Sequence, residues 1–275
     1  MGGLVRILMP SKKYYRSLPG VNKALLPENQ NGYILLQPDV AKENIPEYSA
    51  LIDKLLNLPI HESELIKRPK PGAYYVFKPR DPAGLVQYQE VLEFALSPTI
   101  IASVTEYLGE VPYLGYASIW HTVENDLPFQ DSQFYHFDHD ASRQLKVFVY
   151  LDDVGIDNGP LTFIPAKRSE EISEAINYDW KNHHVPDNEF AGHLKPQDEV
   201  KVVVKSGSVV FADTSRMLHY GGRVNKGRRR VLVLQYLPRV NYAFSPFFGP
   251  SRYPYRSLSS KKMQYFQRFV LSGKA

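Results

Sequence analysis

Residues 133–140 read Gln-Phe-Tyr-His-Phe-Asp-His-Asp, so two histidines and two aspartates fall between positions 136 and 140. Imidazole and carboxylate groups bind metals and carry protons. The stretch therefore admits a metal site, an acid–base pair or polar loop filler. In an extended strand, alternate side chains share a face. His136 and Asp138 would stand side by side, with Phe137 opposite and His139 pointing away. Asp140 falls on the ligand face, where it could orient a ligand or simply close a turn. An adjacent imidazole and carboxylate can take neighbouring positions on an octahedral ion. One further histidine completes the two-histidine, one-carboxylate set that leaves positions open on Fe(II). His-x-Asp alone is a weak signal, because a solvated loop often produces it. Here it is the only His-x-Asp or His-x-Glu in the chain.

The missing histidine must lie downstream on a strand. The candidates are His139, His183, His184, His193 and His219. Only His219 ends a strand-and-turn passage, SGSVVFADTSRMLH, and leads into a basic strand, GRRRVLVLQYL. The others stand in polar loop sequence. The chain has no cysteine, which excludes thiolate metal sites, disulfides and cysteine nucleophiles. Any metal must be held by His, Asp or Glu.

The elements that would position these residues change character along the chain. In IPEYSALIDKLLN, Tyr48, Leu51, Ile52, Leu55 and Leu56 form one helical face. A second helix is expected over LVQYQEVLEFAL and a third from Ser97, with Pro98 at its first position. Beyond about residue 111, short β-branched and aromatic runs alternate with turn residues. YLGYASIWHT, QFYHFD, QLKVFVYL, PLTFIP, EVKVVV, SVVFAD and RVLVLQYL read as strands of an antiparallel barrel or jelly roll. The tail from Asn241 is aromatic and proline-rich and ends in a helical pattern, KKMQYFQRFVL. Its Tyr242, Phe244, Phe247 and Phe248 could line a pocket or pack as core. The expected organisation is a single domain over 1–275. A helical and mixed cover takes 1–110, a jelly-roll core 111–240 and a C-terminal extension 241–275.

The passage from YHFDHD through QLKVFVYLDDVGIDNGPLTFIP to SGSVVFADTSRMLHYGG and GRRRVLVLQY resembles the phytanoyl-CoA dioxygenase family, over roughly residues 111–240. The shared pattern is His-x-Asp, a strand ending in Leu-Asp-Asp, then Asn-Gly-Pro-Leu and a strand closing in Pro. A Gly-initiated strand then leads to a distal His, with an Arg about eleven positions later. The resemblance implies a mainly β fold with flanking helices around a double-stranded β-helix, a cupin-like jelly roll. It implies iron ligands His136, Asp138 and His219, and Arg230 holding the distal carboxylate of 2-oxoglutarate. It further implies O2 as cosubstrate, ascorbate as a reductant, and oxidation of a small-molecule C–H bond with release of succinate and CO2. Asp138 argues for hydroxylation, because related halogenases carry a small residue in its place.

Strand alternation places Arg230 with Leu232, Leu234 and Tyr236 and turns Arg229 outward, and a slip of one residue would reverse this. Relatives place residues that touch the cosubstrate where this chain has Trp120, His121 and Thr122, although His121 reads equally well as a core or edge histidine. Gln133 is a further pocket candidate. Lys146 shares a strand face with Phe148 and Tyr150 and could contact an acidic ligand or snorkel at a strand end. One departure from the family pattern stands at Pro165-Ala166-Lys167-Arg168-Ser169, where relatives usually follow the proline with Gly-Ser-His. The turn there is expected to differ.

Length and composition agree with a globular chain. It has 275 residues, 43% of them hydrophobic, and a net charge of +4. That charge is well short of a dedicated nucleic-acid binder. The opening MGGLVRILMP is too short for a signal peptide, and no apolar run reaches membrane-spanning length. A soluble, cytoplasmic enzyme acting on a small molecule is expected, with no membrane or nucleic-acid partner. The oligomeric state is not legible. Two other readings stand beside it: a jelly-roll binding or regulatory module without turnover, and a nucleic-acid-modifying oxygenase suggested by the Gly-Arg-Arg-Arg run.

Overall fold

A computed structural model describes residues 31–274, apart from 60, 69–70, 180–183, 191, 225 and 240–252. The N-terminal MGGLVRILMP, His183 and the aromatic residues Tyr242, Phe244, Phe247 and Phe248 lie outside the described residues. The strands, in chain order, are β1 (Tyr33–Leu36), β2 (Ile66–Lys67), β3 (Ala73–Tyr75), β4 (Tyr113–Val123) and β5 (Leu145–Tyr150). They continue as β6 (Thr162–Phe163), β7 (Val200–Lys201), β8 (Val209–Ala212), β9 (His219–Tyr220) and β10 (Arg228–Leu237). A seven-stranded antiparallel sheet runs β1-β8-β5-β10-β4-β3-β2, and a three-stranded sheet runs β7-β6-β9. The fold is mainly β with flanking helices, as the sequence pattern and the family resemblance imply.

Alternation along β5 and β10 explains the layering. Leu145, Val147 and Val149 of β5 join Leu232, Leu234 and Tyr236 of β10 in a core shared with Leu51, Leu55, Phe94, Ile100, Ile101, Phe266 and Phe269. Helices thus cover that face of the large sheet. The intervening residues, Phe148 and Tyr150 of β5 with Val231 and Val233 of β10, turn to the opposite face. There they pack with Leu161, Phe163, Val202 and Val204 of the jelly-roll interior. Each fully buried large apolar side chain contributes roughly 1.5–3 kcal/mol, so both faces of these central strands hold register.

The helices largely follow their sequence signals. Tyr48–Leu56 is helical and buries Tyr48, Leu51 and Leu55. The helix over Pro98–Leu108 begins at the expected proline and stops at Gly109, whose φ of 83° closes it in the left-handed conformation. LVQYQEVLEFAL does not form one helix. It divides into Pro82–Val86 and Gln89–Ala95, because Tyr88 leaves the helical region and Asp81 caps the first piece through the Ala83 N–H. The C-terminal pattern forms Tyr265–Ser272. Among the described residues no single helix is long and apolar enough to cross a membrane.

Two differences from the sequence reading matter for the site. QFYHFD is not a strand. Only Tyr135 and His136 make isolated bridges, to Val185 and His219. The departure at Pro165 opens a helix, Ala166–Ala175. Its buried Ser169 donates through Oγ to the Ile164 carbonyl at 2.7 Å and accepts from the Leu218 N–H at 2.9 Å. One hydroxyl thereby ties β6 to the residue before His219. Replacing Ser169→Ala leaves the Leu218 N–H buried without an acceptor. Stability is expected to fall by about 1–3 kcal/mol, read as a lower denaturant midpoint at unchanged slope.

Candidate metal centre

The backbone brings the ligand residues together before any side chain acts. His136 N–H donates to the His219 carbonyl at 3.1 Å, and His219 N–H donates to the His136 carbonyl at 3.0 Å. This reciprocal pair places the two side chains on one face, with ring centroids 4.2 Å apart. Asp138 is held separately, its N–H donating to the Thr214 carbonyl at 2.9 Å. The His136 and His219 Nε2 atoms each lie 3.7 Å from an Asp138 carboxylate oxygen. One ligand atom from each residue falls within 4.8 Å of the others, the spacing of a group able to hold a metal ion.

The second ring nitrogens fix the tautomers. His136 Nδ1 lies 2.9 Å from the Phe134 carbonyl and His219 Nδ1 lies 2.9 Å from the Met217 carbonyl. A carbonyl only accepts, so both Nδ1 atoms carry the proton and Nε2 keeps its lone pair on the Asp138 side. A metal-binding imidazole is oriented in this way. Burial, reinforced by the neighbouring His219, holds the His136 pKa well below the ordinary histidine value, so the ring stays neutral. Asp138 is pulled the other way. Burial disfavours its charge, but Lys146, His219 and His136 together outweigh that, and its pKa stays below the usual carboxylate range. Lys146 Nζ donates to Asp138 Oδ2 at 2.5 Å. Two imidazoles and an ionised carboxylate are the donor set that suits a divalent iron ion.

The triad opens into a cavity of about 220 Å³ whose walls include Arg68, Tyr116, Trp120, Tyr150 and Arg229. A second cavity of about 290 Å³ shares Tyr116, Trp120 and Lys146 with it and adds Arg80, Asp140 and Gln235. Arg229 stands where the family spacing points to Arg230. In β10, Arg229 lies opposite Thr122 and Arg230 opposite His121. Arg229 therefore shares the interior face of Val231 and Val233. Arg230 faces the other way and forks onto Asp152, with Nη2–Oδ1 at 2.7 Å and Nε at 3.0 Å from both oxygens. Its own N–H adds a 2.8 Å bond to Asp152. Arg230 is thus committed to an ion pair away from the triad. The spacing argument runs one residue out of step with the strand.

Arg229 is buried, and its Nη1 donates to the Gly159 carbonyl at 2.5 Å. Its Nε, and the hydroxyl of Tyr150 nearby, meet no hydrogen-bond partner among the described residues. Burial raises the Tyr150 pKa, so the phenol stays protonated as a donor. Orphaned donors of this kind inside a polar cavity are what an anionic ligand satisfies.

The other sequence candidates divide. His121 projects to the face opposite the cavity, beside the Tyr74 ring, and burial with Arg228 and Arg230 lowers its pKa. Thr122 is buried across from Arg229 but does not line the cavity. Gln133 is structural, its side-chain amide donating to the Gly222 carbonyl at 3.0 Å and its backbone carbonyl accepting from Arg223 Nε. Asp140 lines the second cavity and accepts from Gln235 at 2.5 Å. Lys146 points into the cavity beside Phe148 and Tyr150. Arg229, Tyr150 and Arg68 escaped the sequence reading. Arg229 carried a signal, as the neighbour of the chosen arginine, but only the register distinguishes the two.

The family model for phytanoyl-CoA dioxygenase matches residues 29–231. The chain belongs to the phytanoyl-CoA dioxygenase family. That family comprises Fe(II)- and 2-oxoglutarate-dependent oxygenases, and the triad, the cavity and the buried Arg229 guanidinium described above fit that cofactor set. L-proline trans-4-hydroxylase from Streptomyces griseoviridis is 26% identical over 126 residues. That match spans 40% of this chain and 47% of the relative, so the chain covers about half the relative's length. HygX from Streptomyces hygroscopicus, with nickel and 2-oxoglutarate bound, aligns at TM-score 0.51 and 14% identity over 77% of this chain and 85% of HygX. HygX with hygromycin B also bound aligns at TM-score 0.50 over the same shares. These two likenesses concern the fold alone.

Two outcomes follow from this geometry. His136→Ala and Asp138→Ala each remove a ligand and are expected to weaken Ni(II) or Fe(II) binding by more than about 100-fold, measured by anaerobic titration calorimetry. Arg230→Ala leaves Asp152 without its fork. Denaturation should show a stability loss of about 3 kcal/mol, with unchanged affinity for 2-oxoglutarate.

Proposed function

We propose that the protein is an Fe(II)- and 2-oxoglutarate-dependent hydroxylase of a small molecule, releasing succinate and CO2. The single observation that carries this reading is the convergence of His136, Asp138 and His219 in one cavity with an arginine, Arg229, whose Nε meets no hydrogen-bond partner among the described residues. His136, Asp138 and His219 would hold the iron, which when bound supplies O2 activation and binds the 2-oxo acid end of the cosubstrate. The remaining carboxylate of 2-oxoglutarate requires a fixed cation, and the guanidinium of Arg229 provides one with the right fork. Tyr150 donates a further hydrogen bond from the same face.

Other wall residues also have a task in this reading. Lys146 holds one Asp138 oxygen and keeps the carboxylate ionised. Phe148, Leu161 and Val231 keep the cavity dry on the interior side. The adjoining cavity of about 290 Å³ is of a size for a small-molecule substrate. The curated relative acts on L-proline, which makes free amino acids the first substrates to try.

The test is succinate release from the purified protein with Fe(II), 2-oxoglutarate and O2, across a panel of amino acids. Anaerobic Fe(II) with 2-oxoglutarate should show a metal-to-ligand charge-transfer band. Arg229→Met removes a buried charge-assisted bond worth about 2 kcal/mol or more. It is expected to raise the 2-oxoglutarate dissociation constant about 30-fold or more. An unchanged constant in Arg229→Met would exclude this residue as the cosubstrate anchor.

A further inference from the structure

Arg68 has no task in the reading above, yet it lines the metal cavity. It follows β2 and is fixed by its backbone, with its N–H donating to the Ala73 carbonyl at 2.9 Å. The guanidinium carbon lies 4.8 Å from the centre of the Tyr75 ring and 4.5 Å from that of Trp120. Both contacts are cation–π in kind. They hold the planar group still and leave hydrogen-bond acceptors only its edge. Trp120 is itself anchored, its Nε1 donating to the Tyr116 hydroxyl at 2.5 Å. Arg68 Nε and Nη1 are buried and meet no acceptor among the described residues. Buried charged donors without a partner are costly in a folded chain. An immobilised guanidinium with unmet donors is organised for an anion.

The cosubstrate does not account for it. A 2-oxoglutarate molecule has two carboxylates. One belongs to the chelating end and the other to Arg229 and Tyr150 on the central strands. Arg68 enters from the edge of the large sheet, with β4 and β3 between it and β10. It stacks on Trp120, which together with Tyr116 lines both the metal cavity and the adjoining one. A cation stacked on that shared wall lines the metal cavity itself, where a substrate must present its reacting carbon. We propose that Arg68 is the substrate anchor and that the substrate is a small carboxylic acid, its carboxylate taken by the Arg68 edge. A planar monoanionic carboxylate matches the one free edge that the stacked guanidinium offers. This inference rests on the oxygenase reading, since it assigns the substrate of that site.

The experiment uses the whole protein loaded anaerobically with Fe(II) and 2-oxoglutarate. Its probes are matched pairs of small carboxylic acids and their primary amides, L-proline and L-prolinamide among them. Binding is read from perturbation of the charge-transfer band and from saturation-transfer NMR. Acids are expected to bind at least about tenfold tighter than their amides. Arg68→Met should erase that preference while 2-oxoglutarate affinity is unchanged, and Arg68→Lys should keep part of it. Acids that bind no better than amides, or not at all, overturn the inference. So does a preference that survives in Arg68→Met, or a loss of 2-oxoglutarate affinity in that variant, which would make Arg68 a cosubstrate residue. Absence of the charge-transfer band in the unmutated protein defeats the oxygenase reading itself, and is seen before any acid is added.

Discussion

The reciprocal pair of backbone hydrogen bonds between His136 and His219 is the constraint on which the site depends. It joins two segments far apart in sequence and forces their side chains onto one face. Both imidazoles are positioned by the supports of that pair, whereas Asp138 is held separately by the Thr214 carbonyl and Lys146. β9 is held by β6, with Phe163 opposite His219. The Ser169 hydroxyl clamps the same place from the helix that follows β6. The carbonyls of Phe134 and Met217 then set the tautomer of each ring. The pair therefore decides both where the imidazoles stand and which nitrogen they offer.

Charge in the interior is distributed with the same economy. Two carboxylates, Asp138 and Asp140, and four cations, Lys146, Arg68, Arg80 and Arg229, line the two adjoining cavities. Asp138 has Lys146, and Asp140 has Gln235 with Arg80 at 4.0 Å. Arg68 and Arg229 keep donors that meet no acceptor among the described residues. A fold tolerates such donors where ligand binding completes them. Arg230, by contrast, is fully engaged by Asp152 and serves the architecture. Adjacent residues of one strand thus do opposite work, because they face opposite layers.

Much of the core was legible from residue pattern alone. β4, β5, β8 and β10 carry strong alternation and pack both faces, so their hydrophobic pattern is dictated by burial. The N-terminal strands were not legible. Tyr33–Leu36 is only four residues, and its partner β8 lies far downstream. β2 and β3 are edge strands of two and three residues, too short for periodicity to show. QFYHFD has the composition of a strand but lacks a continuous partner, so it forms bridges only. The helix at Ala166–Ala175 lay hidden because most of its residues are polar and few of them are buried.

The amino-acid sequence by itself determined the ligand types, their order and the pairing of His136 with Asp138 and His219. Those follow from side-chain chemistry and from motifs in a set order, which survive small changes of loop length. Only the tertiary structure decided which arginine enters the cavity. Side chains in a strand alternate, so the parity of β10 is set by how the turn after Tyr220 delivers the chain against β4. A shift of one residue exchanges Arg229 and Arg230 between the interior and the helical layer. Arg68 is the same lesson at longer range. Nothing local marks it, and its role emerges only when the sheet edge folds it over Tyr75 and Trp120.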